Sequence, residues 1–179
     1  CLLSRGLGDV YKRQGNQGMT VSLPVIEFAK SLFCTEEQLY RALVVSNLVA
    51  IHQKKYIGSL SAYCGAVSAA CGSGAAITYL YGGNYEDISA TIVNTIGNVG
   101  GIVCDGAKSS CAAKIASAVD AAILGHFLGR KHHWFQPGEG IVQKDVEGTI
   151  KSMGYIGRVG MKDTDKQILN IMIDQVQVD

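Results

Sequence analysis

Residues 56–85, YIGSLSAYCGAVSAACGSGAAITYLYGGNY, form a charge-free stretch that decides the fold class. The stretch is longer than the ~20 apolar residues that a bilayer-spanning helix needs, so a membrane span is one interpretation. Its composition favours another, because it consists mostly of Ala, Gly, Ser and Cys with few Leu or Ile. Small residues let helices pack closely, and a helix buried on all sides can be uncharged all round. We therefore predict a buried, Ala/Gly-rich central helix over about residues 61–81, outside any membrane.

Signals for two more helices precede this central helix. Pro24 predicts the first turn of a helix that continues to about Phe33, because its missing N–H would be unpaired there. Residues 35–38, TEEQ, form a capping-box pattern that opens a second helix. This second helix carries apolar residues at helical spacing: Leu39, Leu43, Leu48 and Ile51.

The second half of the chain continues in the same way. Gly82 and Gly83 predict the end of the central helix, and Asn84 predicts the cap of a fourth. Further helices are expected over about residues 110–128, closed by Gly129, over about 145–153, and from a cap at Thr164. Since no alternating strand pattern of useful length occurs, we predict an all-α, multi-helix domain.

Composition limits the class of partner. The 179 residues suffice for one compact domain, and with 47% hydrophobic and 17% charged residues the surface is lean in charge. Such a balance indicates that part of the surface is covered by something else. The formal net charge is +1 and no long run of Lys or Arg occurs, so nucleic acid is excluded as a partner.

The first fourteen residues, CLLSRGLGDVYKRQ, differ from the rest of the chain. They show neither helical periodicity nor strand alternation, and they resemble a translated adaptor or read-end artefact. We therefore expect residues 1–14 to be a non-native leader, and residues 15–179 to be a single helical domain truncated at its N-terminus.

The cysteines point to a reducing compartment. No secretory signal precedes them, and they lie in apolar segments rich in small residues, unlike those of disulfide-dense secreted domains. We therefore expect reduced thiols in a cytoplasmic protein. Cys104 and Cys111 flank a glycine-containing turn, and Cys64 lies near the start of the central helix. Spacing alone leaves open whether these three are iron–sulfur ligands or buried packing residues, and it disfavours a structural zinc site.

Several motifs in order carry a resemblance. They are Gly15-Asn16-Gln17-Gly18, then Ser22-Leu23-Pro24, then Ile57-Gly58-x-Leu60-Ser61-Ala62-x-Cys64-Gly65, and Asn98-x-x-Gly101-x-x-Cys104-Asp105-Gly106-Ala107-Lys108-x-x-Cys111-Ala112. Together they resemble the L-cysteine desulfidase family, which is related to the α-chain of bacterial iron–sulfur L-serine dehydratases. The similarity extends from Gly15 nearly to the C-terminus.

The resemblance implies a fold of the serine-dehydratase α-chain type and a [4Fe–4S] cluster held by Cys64, Cys104 and Cys111. With three protein ligands one iron stays open and acts as a Lewis acid on the leaving group of the substrate. The implied reaction eliminates sulfide from L-cysteine and gives pyruvate and ammonia. The family's base lies in its N-terminal half, and no residue of this chain matches it, so we expect little or no turnover by this chain alone.

The resemblance also implies a place for the substrate, a small amino acid. Gly15, Asn16, Gln17 and Gly18, together with Lys108, are expected to bind its carboxylate. Turn chemistry is the alternative for Asn16 and Gln17, and a solvated turn lysine is the alternative for Lys108. Two other functions stay open: L-serine dehydration in the same fold, and a non-catalytic helical protein whose cysteines only pack. A homo-oligomer is compatible with every one of these.

Overall fold

The computed structural model describes residues 15–58, 61–106 and 108–173, so the predicted leader at 1–14 lies outside the described residues. Within these ranges the protein is all-α, as predicted, with an isolated antiparallel bridge between Tyr63 and Val103 as its β-type pairing. Seven α-helices are described: α1 Gly15–Ser31, α2 Glu36–Ile57, α3 Gly65–Leu80, α4 Tyr85–Val99, α5 Cys111–Arg130, α6 Val146–Tyr155 and α7 Lys162–Met172. A π-helical turn, Ile156–Gly160, lies between α6 and α7.

Helix α3 is the buried centre of the fold. Every residue from Ala66 to Thr78 is buried, and α1, α2, α4 and α5 all pack against the helix. At 16 residues α3 is shorter than the ~20 that a bilayer span needs. The prediction of a buried central helix is confirmed, but its start is corrected from residue 61 to Gly65. Tyr63 pairs with Val103 instead of continuing the helix, because the segment before Gly65 is extended.

Small residues set the distances between these helices. A methyl group on Gly74 of α3 would lie 2.9 Å from the Cβ of Ala122 in α5, and one on Gly125 would lie 3.0 Å from the Thr91 carbonyl oxygen of α4. Helices this close leave no room for a side chain at either position, so the glycines are required by packing.

Local caps were predicted correctly where the helix end is exposed. Thr35 and Gln38 form the capping box of α2, and Asn84 and Asp87 form that of α4. Asp145 caps α6 by accepting the Gly148 N–H at 2.6 Å. In each case the pattern works because the capping group and its N–H lie within one turn of the chain.

Three predicted helix ends are wrong: at the first two tertiary packing overrides a local signal, and at the third the backbone continues from a preceding helical turn. Helix α1 begins at Gly15, with Pro24 in its interior, since the upstream turns are anchored by a buried bond from Ser46 Oγ to the Val21 carbonyl oxygen at 2.7 Å. Gly129 lies inside α5, where it allows close approach to Ala90 of α4. Thr164 lies inside α7, which continues directly from the π-helical turn through Met161.

One helix of the described residues, α5, is long and apolar enough to cross a membrane on length and composition, with a mean hydropathy of 1.4 over its apolar window. A third of this apolar part of α5 is buried inside the protein, and α5 packs against both α3 and α4. Core helices of globular proteins satisfy the same criteria, so this is weak evidence for a span.

Candidate functional site

Two extended segments bring Cys64 and Cys104 together, although forty positions of sequence separate them. The Cys64 N–H donates to the Ile102 carbonyl oxygen at 3.0 Å, and the Cys104 N–H donates to the Ala62 carbonyl oxygen at 2.6 Å. These two bonds flank the bridge between Tyr63 and Val103. The two cysteines are therefore held on neighbouring backbone segments at the N-terminal end of α3.

The third cysteine begins the next helix. Cys111 is the first residue of α5 and is buried. Its sulfur accepts the Lys108 backbone N–H at 3.5 Å, and its thiol faces the Gly106 carbonyl oxygen at 3.4 Å. The turn that joins Cys104 to Cys111 requires glycine at position 106, because the backbone there has φ +92°.

Lys114, one turn into α5, lies among these cysteines. Its Nζ donates to the Val103 carbonyl oxygen at 3.1 Å and to Asp105 Oδ1 at 2.5 Å. The bond to Asp105 raises the pKa of Lys114, and thiolates at Cys111 and Cys64 would raise it further. The same bond holds the pKa of Asp105 below its ordinary value. The ammonium group is therefore close to both extended segments and to two of the three thiols.

The surroundings of the Cys64 thiol raise its pKa. Burial is the main cause of its raised pKa, and the neighbouring Cys104 raises it further. The backbone N–H groups of Ala66 and Val67, at the start of α3, and the Lys114 ammonium act in the opposite direction. Burial therefore favours the neutral thiol at Cys64, whereas the helix start and the Lys114 ammonium favour a thiolate there.

Cysteine thiols are the donor type that holds an iron–sulfur cluster. Among residues 15–58, 61–106 and 108–173, no group of three or more His, Cys, Asp or Glu side chains is close enough to hold one ion. A cluster needs wider spacing, because each thiolate binds a different iron. The three thiols lie at or near the starts of α3 and α5, and the Lys108 backbone N–H donates to the Cys111 sulfur, which suits the negative charge of a cluster.

The residues predicted to bind the substrate lie in two parts of the structure, the first turn of α1 and the turn before α5. Gly15, Asn16, Gln17 and Gly18 form the first turn of α1. The Gln17 carboxamide packs directly against Gly65, the residue after Cys64, so closely that any side chain on Gly65 would overlap it. Lys108 meets Cys111 through its backbone, while its side chain is exposed.

Gln17 also opens onto a groove. The groove has a volume of about 550 Å³ and lies between α1, α2 and the buried α3. Its lining is mainly apolar, and its polar members besides Gln17 are Ser22, Asn47, Lys54 and Ser68. Helix α3 contributes Ser68 and Ala69 to the lining, about one turn beyond Cys64 and Gly65.

Sequence reasoning missed Lys114 and Asp105. One signal was available, since Lys114 lies three residues after Cys111 and therefore on the same face of α5. The partner of its ammonium group was not available, because the bond to the segment 103–105 depends on how α5 packs. His132 and His133 lie in a polar segment with Pro137 and Gly138, a pattern that predicts a surface position, and both are exposed in the structure.

Comparison with known proteins adds the family. A family model described as the serine dehydratase alpha chain matches residues 12–170. The chain belongs to the serine dehydratase alpha chain family. This family is one of lyase-type enzymes. No solved structure matches the chain.

Curated relatives in the serine dehydratase alpha chain family are bacterial. A UPF0597 protein of Desulfitobacterium hafniense is 61% identical over 161 residues, covering 90% of this chain and 37% of the relative. UPF0597 proteins of Lachnoclostridium phytofermentans and Treponema denticola are 61% and 54% identical, over 89% of this chain. These alignments cover 38% and 37% of those two relatives, so the chain spans less than two fifths of the length of the relatives it matches.

Proposed function

We propose that this chain is the cysteine-bearing part of an iron–sulfur lyase that eliminates sulfide from L-cysteine. The observation that carries the proposal is the grouping of Cys64, Cys104 and Cys111 around the Lys114 ammonium, at the starts of α3 and α5. Membership of a lyase-type family supports the reaction class. The order of the motifs, from Gly15 to Cys111, supports L-cysteine as the substrate.

The three thiols would hold a [4Fe–4S] cluster, which when bound supplies an open iron as a Lewis acid for the leaving sulfur. The chain's own residues would orient the substrate. The Gln17 carboxamide, which lies against Gly65, would donate to the substrate carboxylate, and the exposed Lys108 ammonium would offset its charge. The overall change consumes water and converts L-cysteine into hydrogen sulfide, pyruvate and ammonia. An oxygen-sensitive cluster of this kind suits a cytoplasmic location.

Ligation is tested by anaerobic reconstitution with iron and sulfide, followed by measurement of bound iron and acid-labile sulfide per chain. Cys64→Ser, Cys104→Ser and Cys111→Ser are each expected to lose most of the bound iron, because each removes one of three thiolates. Cys34→Ser is the matched control, since Cys34 lies between α1 and α2, apart from the site. Equal iron in the wild type and all three variants would contradict the assignment.

The substrate is tested on the reconstituted chain by adding L-cysteine or L-serine and recording the change in the cluster's spectrum. A ligand that binds the open iron changes its electronic environment, so we expect L-cysteine to produce the larger change at lower concentration. L-serine dehydration is the second candidate function, favoured by the family to which the chain belongs. A response to L-serine at lower concentration than to L-cysteine would replace the first function by the second.

A further inference from the structure

The Lys114 ammonium group bridges two parts of the chain that carry different cysteines. Its contacts are the carbonyl oxygen of Val103 and the carboxylate of Asp105, which are the two neighbours of Cys104 in sequence. Lys114 itself belongs to α5, the helix that Cys111 begins. A single side chain therefore ties the backbone on both sides of Cys104 to the helix of Cys111.

The bridge is less exposed to water than a typical surface ion pair of this protein. The Lys114 side chain is 24% exposed and that of Asp105 is 40% exposed, whereas the surface pair of Lys166 and Asp163 is 65% and 88% exposed. A charge-assisted bond of this kind restrains both partners more than an exposed pair does.

Charge gives the bridge a second effect. Three thiolates and the sulfides of a cluster would concentrate negative charge at this end of α3 and α5. The Lys114 ammonium lies close enough to Cys64 and Cys111 to interact with their charges. A fixed positive charge beside a redox centre stabilises the state that carries more electrons, and therefore raises its reduction potential.

We propose that Lys114 is a positioning residue for the iron–sulfur cluster, which fixes Cys104 relative to Cys111 and supplies the positive charge beside the thiolates. The inference rests on the proposed function, because it requires that the three cysteines bind a cluster. It assigns Asp105 the part of holding the Lys114 side chain in place. Residues that orient metal ligands without touching the metal change both the affinity for the metal and its electronic properties.

The test compares Lys114→Met and Lys114→Arg with wild type after anaerobic reconstitution, and uses Lys166→Met as the matched control. Iron retained against a chelator and the reduction potential of the cluster are both measured. We expect Lys114→Met to lower the affinity for iron about 10- to 100-fold and to lower the potential. Lys114→Arg keeps the charge and is expected to restore most of both quantities, while Lys166→Met changes neither.

Asp105→Asn separates the two effects and keeps the test decisive if Lys114→Met does not fold. This variant loosens the bridge but removes a negative charge, so we expect weaker retention of iron together with a raised potential, opposite in sign to Lys114→Met. Wild-type affinity and potential in both variants would overturn the inference while leaving the cluster assignment intact. A wild-type chain that takes up no iron would overturn the proposed function itself.

Discussion

At the scale of single residues, burial separates Cys71 from the cysteines of the site. Cys71 is fully buried within α3, its thiol faces the Ile92 carbonyl oxygen at 3.8 Å, and burial raises its pKa to about 12. This environment is that of a packing residue, which is the role that the small, apolar residues around Cys71 in the sequence predict. Free cysteine in such surroundings behaves as a small apolar side chain.

This difference predicts the order in which the thiols react. Alkylation requires the thiolate, so in the folded protein we expect iodoacetamide to label the half-buried Cys34 well before Cys71. Peptide mass spectrometry after short exposures measures the order, and labelling in urea provides the control in which both react. Equal rates for Cys34 and Cys71 in the folded protein would contradict the buried position.

A second residue-scale feature is the buried histidine of α5. His126 Nδ1 and Thr78 Oγ1 are 2.9 Å apart, and the Thr78 hydroxyl is 2.8 Å from that of Thr91. Burial, with the nearby Arg130 as a smaller cause, lowers the pKa of His126. The folded protein therefore binds a proton at this position less readily than the unfolded chain does.

The lowered pKa predicts acid sensitivity. The stability is full above the ordinary histidine pKa of about 6.5 and decreases as the pH falls below it, because the unfolded chain then binds the additional proton. We expect His126→Gln to lose less stability than wild type between about pH 7.5 and about pH 5, as measured by urea unfolding. His132→Gln, at an exposed position, is the control and should follow the wild type. An unchanged pH dependence in His126→Gln would contradict the prediction.

At the scale of helices, the close packing of α3 depends on glycine, which has no side chain. Gly74 lies against Ala122 of α5 and the Thr91 side chain of α4, at 2.9 Å and 3.3 Å from the position of a methyl group. Since both neighbours are themselves buried on packed helices, neither can move away without cost.

Gly74→Ala is therefore expected to destabilise the protein by about 1–3 kcal/mol, in spite of the higher helix propensity of alanine. Gly101→Ala is the matched control, because a methyl group there would meet no atom within 4 Å. Urea unfolding of both variants measures the difference. A Gly74→Ala variant as stable as wild type would mean that α3 and α5 are not as close as described.

At the scale of the whole molecule, one apolar surface stands out. Along α2, Tyr40, Val44, Leu48 and Ile51 follow helical spacing on one side and are 57%, 57%, 60% and 64% exposed. On the other side of the helix, Leu39 and Leu43 pack against buried Ala42 and Val25. Exposed apolar stripes of this kind mark contact surfaces, in agreement with the low charge content of the sequence.

We expect this α2 stripe to drive association between copies of the isolated chain, the homo-oligomer that composition left open. Leu48→Lys combined with Ile51→Lys should shift the chain towards monomer in sedimentation experiments, because two charges replace the apolar contact. Leu169→Lys, at an exposed leucine of α7, is the control and should leave association unchanged. A chain that is monomeric before any substitution would contradict the prediction.

The amino-acid sequence by itself determined what depends on neighbours along the chain. The capping boxes at Thr35 and Asn84 and the charge-free run that becomes α3 are local or compositional signals, and each was predicted correctly. The order of the cysteine motifs also indicated the relation to the serine dehydratase alpha chain without reference to structure, while the L-cysteine desulfidase assignment stays a prediction.

Only the tertiary structure decided features that need two distant segments. These are the start of α1 at Gly15, where Ser46 anchors the upstream turns, and the place of Gly129 inside α5. The approach of Lys114 to Asp105 is another, and the exposure of Leu48 and Ile51 is a fourth. Their common physical reason is that a helical pattern specifies which residues share a face, whereas packing against other helices decides which face is buried and which polar groups meet.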